Sequence, residues 1–467
     1  MRARAAGRQG RVTPIYNGRS AIIPISASKS LALMLFGVPG LKKSALAFAV
    51  LILASLGFVS CGGGNSGSTQ TSSGLSFKAL VSNPLQPGVG GTTPVLNIVD
   101  ASKDVLSPFR VSLSGFASQP GLMAVSPNKN FTMVFNSANN SITLVDNTTE
   151  APVSGVSSAL PPINLLGSTE SMFVANDNAT GWAAVPGAPV LGQDPGVVEV
   201  LRLATSSVAA TIPIPGARYL VPSHTGNRVL AMGENSSTVT VIAPSLVGTG
   251  SDPLTPICCF DHPVGGVFSS DDTTAYVFDC GKECNGIAAG ITVIDMNTNS
   301  IVTTIPVDGA TAGLLSGNTL YVAGTPAAPG NDCTGTMTAA TVCGRLDVVD
   351  VGSMTVSGSA IITDGYHTLM TQGANGRIFV GAKNCTSINN PPPGEVRGCL
   401  SIFNTSNGNV VIPPAAGVVT GMQPITNRTV VYVVQDGELA IYETSTDKLQ
   451  SKQIDIIGQA FDVKLVD

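Results

Sequence analysis

An all-β fold, closed as a ring of eight four-stranded antiparallel blades, is what this sequence predicts. Three observations predict it. Short apolar runs with the same turn chemistry recur eight times along residues 76–467. Their spacing, about 49 residues, is somewhat above the 40–45 usual for one four-stranded blade. The composition, with 52 Gly, 31 Pro and only 11% charged residues, is that of many turns around an apolar interior. No stretch after residue 60 keeps a 3.6-residue apolar period, so helices are not expected.

The first element is a leader. Lys42 and Lys43 precede fifteen uncharged, mostly apolar residues, ALAFAVLILASLGFV (45–59), then Ser60 and Cys61. That run is short for a transmembrane helix, which needs about 20 residues, and suits a secretory signal. Basic residues, an apolar run, a small residue and a cysteine resemble a bacterial lipoprotein signal, with Phe58 where leucine is usual. The resemblance implies export, lipidation of Cys61, and anchoring at a membrane; an ordinary secretory signal or an uncleaved anchor would also export the domain. Gly62 is not the aspartate that retains lipoproteins at an inner membrane, so an outer-membrane location, periplasmic or surface-facing, is expected. Residues 1–33 are Arg-rich and acid-free, and Met34 would open a signal of conventional length. Residues 1–60 are therefore read as leader. Residues 61–75, with GGGNSGSTQTSSG at 62–74, form a flexible tether.

Charge narrows the partners. The leader holds eight of the 24 Lys/Arg and none of the 29 Asp/Glu, which leaves 61–467 with 16 basic and 29 acidic residues, a net charge of −13. Neutralising phosphates takes clustered cations, so nucleic acid is excluded as a partner. Electrostatic attraction to anionic lipid is excluded too, and the membrane would be met through the lipid alone.

The repeats follow in order. The second strand of each unit reads FKALVSN (77–83), FTMVFNS (131–137), GWAAVPG (181–187), RVLAMGE (228–234), TAYVFDC (274–280), TLYVAGT (319–325), RIFVGAK (377–383) and VVYVVQD (430–436). The third reads LNIVD (96–100), ITLVD (142–146), VEVLRL (198–203), VTVIAP (239–244), ITVIDM (291–296), LDVVDV (346–351), LSIFNT (400–405) and LAIYET (439–444). First strands appear seven times in line, from near Met123, and a spare run, AFDVKLVD (460–467), ends the chain. The simplest arrangement is an eight-bladed β-propeller in which this last run becomes the innermost strand of the blade begun by 77–112. Such closure removes the free sheet edges of an open array.

The unit at 262–307, with Tyr276-Val277, Val293-Ile294-Asp295 and Ile305-Pro306-Val307, resembles the YVTN-type propeller repeat. The resemblance covers nearly all of 76–467 and concerns fold, not function. YVTN units are commonly met in seven-bladed rings, so seven blades is the alternative it implies. The aspartates that end third strands, Asp100, Asp146, Asp295 and Asp350, are read as turn caps that accept backbone N–H groups two residues on.

In such a blade, the loops between second and third strands share a face with the connections to the next blade. The turns on the opposite face are short and polar. The 2–3 loops are long at 84–94, 187–195, 281–289, 326–344 and 384–398. Long loops on one face of a rigid scaffold are the usual place for binding. Cysteines follow them: Cys280 and Cys284, Cys333 and Cys343, and Cys385 and Cys399 each flank one loop, and in an exported chain disulfides are expected. Cys258 and Cys259 are adjacent. They are candidates for a vicinal disulfide or for pairing with Cys280 and Cys284. A four-thiolate zinc site lacks the usual two-residue spacing, and no metal is expected.

Of three histidines, His224 falls in a short turn, while His262 and His367 open first strands near the channel mouth on the long-loop face. They are the candidates for a ligand face. No G-x-S-x-G, Walker A, H-E-x-x-H or EF-hand motif occurs. Glu283 and Glu395 lie on long loops without an evident partner carboxylate. No catalytic residue and no cofactor is expected. The expected function is a monomeric binding or scaffold module for a protein or small molecule, not an enzyme. Its rivals are a propeller resembling the haem d1 binders, with His262 or His367 as axial ligand, and a lactonase-like propeller, which needs clustered acids in its channel.

Overall fold

The computed structural model describes residues 72–88, 91–117, 119–155, 159–233, 235–326, 343–385 and 398–466. Cys61, Cys333, Glu395, the leader, and most of the 326–344 and 384–398 loops lie outside the described residues.

Eight antiparallel sheets form the ring. The inner strands of blades 2 to 8 are Pro120–Val125, Ser171–Val174, Ala217–Pro222, Pro263–Phe268, Ala312–Ser316, Tyr366–Gly373 and Val419–Pro424. Blade 1 borrows its inner strand from the far end of the chain. Val463–Leu465 pairs with Lys78–Gly88, placing Ala79 opposite Leu465 and Val81 opposite Val463. The ring is therefore closed by the C-terminal strand, in eight blades and not seven. All second and third strands fall where the sequence repeats place them.

The alternation that marks each strand becomes a core between blades. Eight apolar clusters are present, one for each pair of neighbouring blades. Val463, Leu465, Val81, Tyr432 and Ile441, for example, join blade 8 to blade 1. Trp182 is buried between blades 3 and 4 and stacks on Phe173, ring centroids 6.0 Å apart.

A polar residue at one register of the third strand ties each of several blades to the connection that enters it. Thr143 donates to the Phe116 carbonyl at 2.9 Å. Glu199, Asp347 and Ser401 accept the backbone N–H groups of Leu166, Asp308 and Thr363 at 3.2, 2.9 and 3.1 Å. All four are buried, and each such group needs a partner once out of water. On the opposite face the aspartates act as turn caps. Asp146 accepts the amides of Thr148 and Thr149 at 2.8 Å, and Asp295 and Asp350 accept those of Asn297 and Gly352 at 2.8 Å.

One long loop is not a loop. Residues 84–94 continue the hairpin of Lys78–Gly88 and Gly91–Asp100, with Gln86 opposite Thr93 and Pro87 opposite Thr92 beyond a bulge at Asn83–Gln86. Two prolines and the glycines hide this extension from a strand count. The other end of Lys78–Gly88 fixes how the chain joins the ring. Glu150, in the 3–4 turn of blade 2, accepts the Ser73 amide and hydroxyl and pairs with Lys78 Nζ, each at 2.5 Å. The chain thus joins the ring on the short-turn face.

Candidate functional site at the channel mouth

Inner strands of all eight blades surround a central channel, and on the long-loop side it widens into a cavity of about 770 Å³. Its wall includes Leu85, Ser137 and Lys383 at the ends of second strands, which places the cavity on that face. Leu85, Lys383 and Phe461 are exposed, so the cavity opens to solvent.

Backbone irregularity builds its wall. In blades 2, 4, 5, 7 and 8 the pairing of the inner strand slips between Pro120 and Met123, Ala217 and Tyr219, Pro263 and Gly265, His367 and Leu369, and Val419 and Gly421. A bulge leaves a residue unpaired and re-aims its side chain. The residues so freed include Arg218, Val264, Thr368 and Thr420, and all four line the cavity or the recess beside it. The hydroxyls of Thr368 and Thr420 have no hydrogen-bond partner among the described residues.

Around these lies an apolar wall: Leu122, Leu220, Phe278, Leu369, Met370 and Phe461. Polar groups concentrate on one side. The hydroxyls of Tyr219, from blade 4, and Tyr366, from blade 7, meet at 3.3 Å. Burial, and then the neighbouring Tyr219, push the Tyr366 phenol well above its ordinary value. Arg218 donates to Glu170 Oε1 at 2.9 Å and lies 5.7 Å from the Tyr219 ring centroid. Lys383 stands opposite Tyr366 on the paired strand and has no ion-pair partner among the described residues.

The recess beside the cavity, about 300 Å³, is walled by Arg218, Tyr219, Tyr366, Asn285 and His262. His262, with φ +60°, is held through Nδ1 to Asp261 Oδ1 at 3.0 Å. Asp261 also accepts the Ile287 and Ala288 amides at 2.7 Å, so it fixes the loop that carries the disulfide. Burial pushes Asp279 up to about 6 against hydrogen bonds from Thr292 and the Asp261 amide. Burial likewise pushes Glu283 up to about 7, opposed by the Thr325 amide that donates to it at 2.8 Å.

The two candidate histidines part company here. His367 is fully buried and does not face the cavity. The bulge turns it inward, where Nε2–H donates to the Thr363 carbonyl at 3.0 Å. Burial, against that bond, lowers its pKa to about 4. Gly344 is required beneath it, because a Cβ there would meet the Thr363 carbonyl at 2.0 Å and the imidazole at 2.9 Å. His224 is exposed, as its turn suggests, and also reaches the next blade. Its ring and amide, with Thr225, bind Asp272 at 2.7–2.8 Å.

Cys280–Cys284 and Cys385–Cys399 are disulfides, with S–S 1.96 and 1.98 Å, each across a long 2–3 loop. Cys343 is buried and disulfide-bonded. Cys258 and Cys259 are free, exposed thiols with Sγ atoms 2.7 Å apart, which differs from the expected bridge. Pairing with Cys280 and Cys284 is precluded because those two bond each other. The same bond removes the four-thiolate zinc set, and no group of three metal-ligating side chains occurs among the described residues. Among the described residues Glu170 is the one carboxylate on the cavity wall, and the clustered acids of a lactonase-like channel do not occur among them.

Arg218, Tyr219, Tyr366 and Lys383 escape sequence reasoning. Each opens or closes a strand like many others, and only closure of the ring brings blades 4 and 7 within reach.

No family model matches the chain, and no curated protein is similar to it. Solved structures are. The dihydro-haem d1 dehydrogenase NirN, in complex with DHE, superposes with TM-score 0.55 at 13% identity, over 84% of this chain and 75% of that one. The Dos1 propeller superposes with TM-score 0.53 at 9% identity, over 74% of this chain and 86% of that one. The chain is a β-propeller. At such identities the likeness concerns the fold alone.

Proposed function

We propose that this propeller is an exported, membrane-anchored lipoprotein of the YVTN-repeat type that binds a small ligand in its channel mouth. One observation carries the binding reading: inner-strand bulges aim side chains from several blades into a single open cavity on the face that bears the disulfides. Bulges next to a cavity are built features and not defects of the sheet. A volume of about 770 Å³ falls in the range of small-molecule sites. The disulfides of the 2–3 loops stiffen that rim. Disulfides also suit an oxidising, exported compartment, which supports the lipoprotein reading of Cys61.

Native mass spectrometry of protein extracted from its host's membranes tests the reading. A small-molecule adduct is expected on the wild-type protein and absent from Val264→Trp, which fills the channel. No adduct on the wild type, or the same adduct on both proteins, would refute it. Labelled fatty acid incorporated into wild type but not Cys61→Ser tests the anchor.

The haem d1-like alternative now rests on His262 alone, since His367 has no access to the cavity. A visible band in protein from the native host, lost in His262→Ala, would favour it.

A further inference from the structure

We infer that the ligand is a small monoanionic amphiphile, an apolar body carrying one carboxylate- or sulfonate-type head, bound with that head beside Lys383 and the Tyr219–Tyr366 hydroxyl pair. The inference rests on the binding reading above and names what that site takes.

Charge makes the first argument. The chain from residue 61 carries a net −13, yet among the described residues the ionised side chains on the cavity and recess walls are Arg218, Lys383 and Glu170. Glu170 is already engaged by Arg218 at 2.9 Å. Among the described residues that leaves one cation without an ion-pair partner, Lys383, at an apolar cavity in an acidic protein. A positive site inside a negative field selects a singly charged anion. Higher anions meet the field of the whole chain with only one ammonium to offset it.

Hydrogen bonding makes the second. The two hydroxyls meet at a long 3.3 Å, a contact that the Tyr366 O–H can exchange for a charged acceptor. Burial keeps Tyr366 protonated, so it remains a donor. An ammonium and a phenol are what an anionic oxygen needs from its neighbours, and hydrogen bonds to a charged acceptor are about twice as strong as neutral ones.

Shape makes the third. Away from this corner the wall is Leu122, Phe278, Leu369, Met370 and Phe461. These rule out a ligand that is polar all round, such as an oligosaccharide, whose hydroxyls would go unpaired there.

Calorimetry with naphthalene-1-sulfonate and its neutral isostere naphthalene-1-sulfonamide tests this on the full lipoprotein in non-ionic detergent, with a detergent-only blank. The sulfonate is expected to bind about tenfold more tightly than the sulfonamide. Lys383→Met should remove that advantage and leave the sulfonamide unchanged, and Lys383→Arg should restore it. Lys383 is exposed, so these variants fold. Val264→Trp should abolish binding of both compounds, and Leu191→Ser, at an exposed loop tip on the same face, should alter neither. Equal affinities in the wild type, or a sulfonate advantage that survives Lys383→Met, would overturn the anion inference while leaving the small-ligand reading standing. Binding of neither compound to the wild type, or binding that survives Val264→Trp, would sink the channel site itself.

Discussion

Replacing Asp462 by alanine tests the closure on which the whole channel depends. Asp462 is buried in the turn into the closing strand. Its Oδ2 accepts the Met123 amide of blade 2 at 2.9 Å, and its Oδ1 accepts the Val463 amide at 2.8 Å and Lys464 Nζ at 2.9 Å. Three blades therefore meet at one carboxylate: its backbone carbonyl also accepts the Ser82 amide at 3.0 Å, and Gly421 of blade 8 would press a Cβ to within 2.9 Å of it. Alanine removes a charged acceptor from two backbone N–H groups and leaves that of buried Met123 without a partner, at a cost of about 3 kcal/mol. Roughly 360 described residues at about 2.1 cal/mol/K each give an unfolding entropy of ~0.8 kcal/mol/K, so Tm should fall by about 4 °C. Asp462→Asn keeps one acceptor and should lose about half as much. Scanning calorimetry reads the stability. Hydrogen exchange at the Ser82 amide reads the closing strand directly, and should quicken before amides in blades 4 and 5 do. A Tm change under 1 °C with Ser82 still protected would refute the reasoning, since closure would then not depend on this carboxylate.

His367 makes stability depend on pH. Its folded pKa of about 4 lies below the ordinary 6.5, so between those values the unfolded chain takes up the proton and the folded one does not. The stability it contributes is complete above pH 6.5 and is lost as pH falls through 4, by about 3 kcal/mol; urea midpoints at pH 7 and 4.5 should show a slope that His367→Gln removes. Glu283 acts in the opposite sense, because its raised value of about 7 means stability is lost as pH rises from 4.5 through 7, and Glu283→Gln should be relatively more stable at pH 8 than the wild type. Peptide mapping after alkylation without reduction should find Cys258 and Cys259 labelled and Cys280, Cys284, Cys343, Cys385 and Cys399 unlabelled; an unlabelled Cys258 would mean that the adjacent thiols have joined.

Local chemistry made most of the fold legible. Period-two alternation in eight second and eight third strands, aspartate caps such as Asp295, and the spare run at 460–467 are each written in a few neighbouring residues, and strand pairing inside a blade reads only those. The turn caps and the two described loop disulfides needed no more than spacing.

The site was not legible in that way. Whether an inner strand is bulged depends on how its blade meets the channel, so the turning of His367 inward and of Thr368, Arg218 and Val264 outward left no trace in the pattern. The 84–94 hairpin extension was hidden by prolines that its edge position tolerates. Cys258 and Cys259 stay thiols, a state that their adjacency in the sequence does not reveal. The sequence by itself determined the blades, their number and how the ring closes, because those follow from short-range alternation and turn chemistry. Only the tertiary structure decided what faces the channel, because Tyr219, Tyr366 and Lys383 belong to blades that become neighbours across the axis only when residue 463 has come back to pair with residue 81.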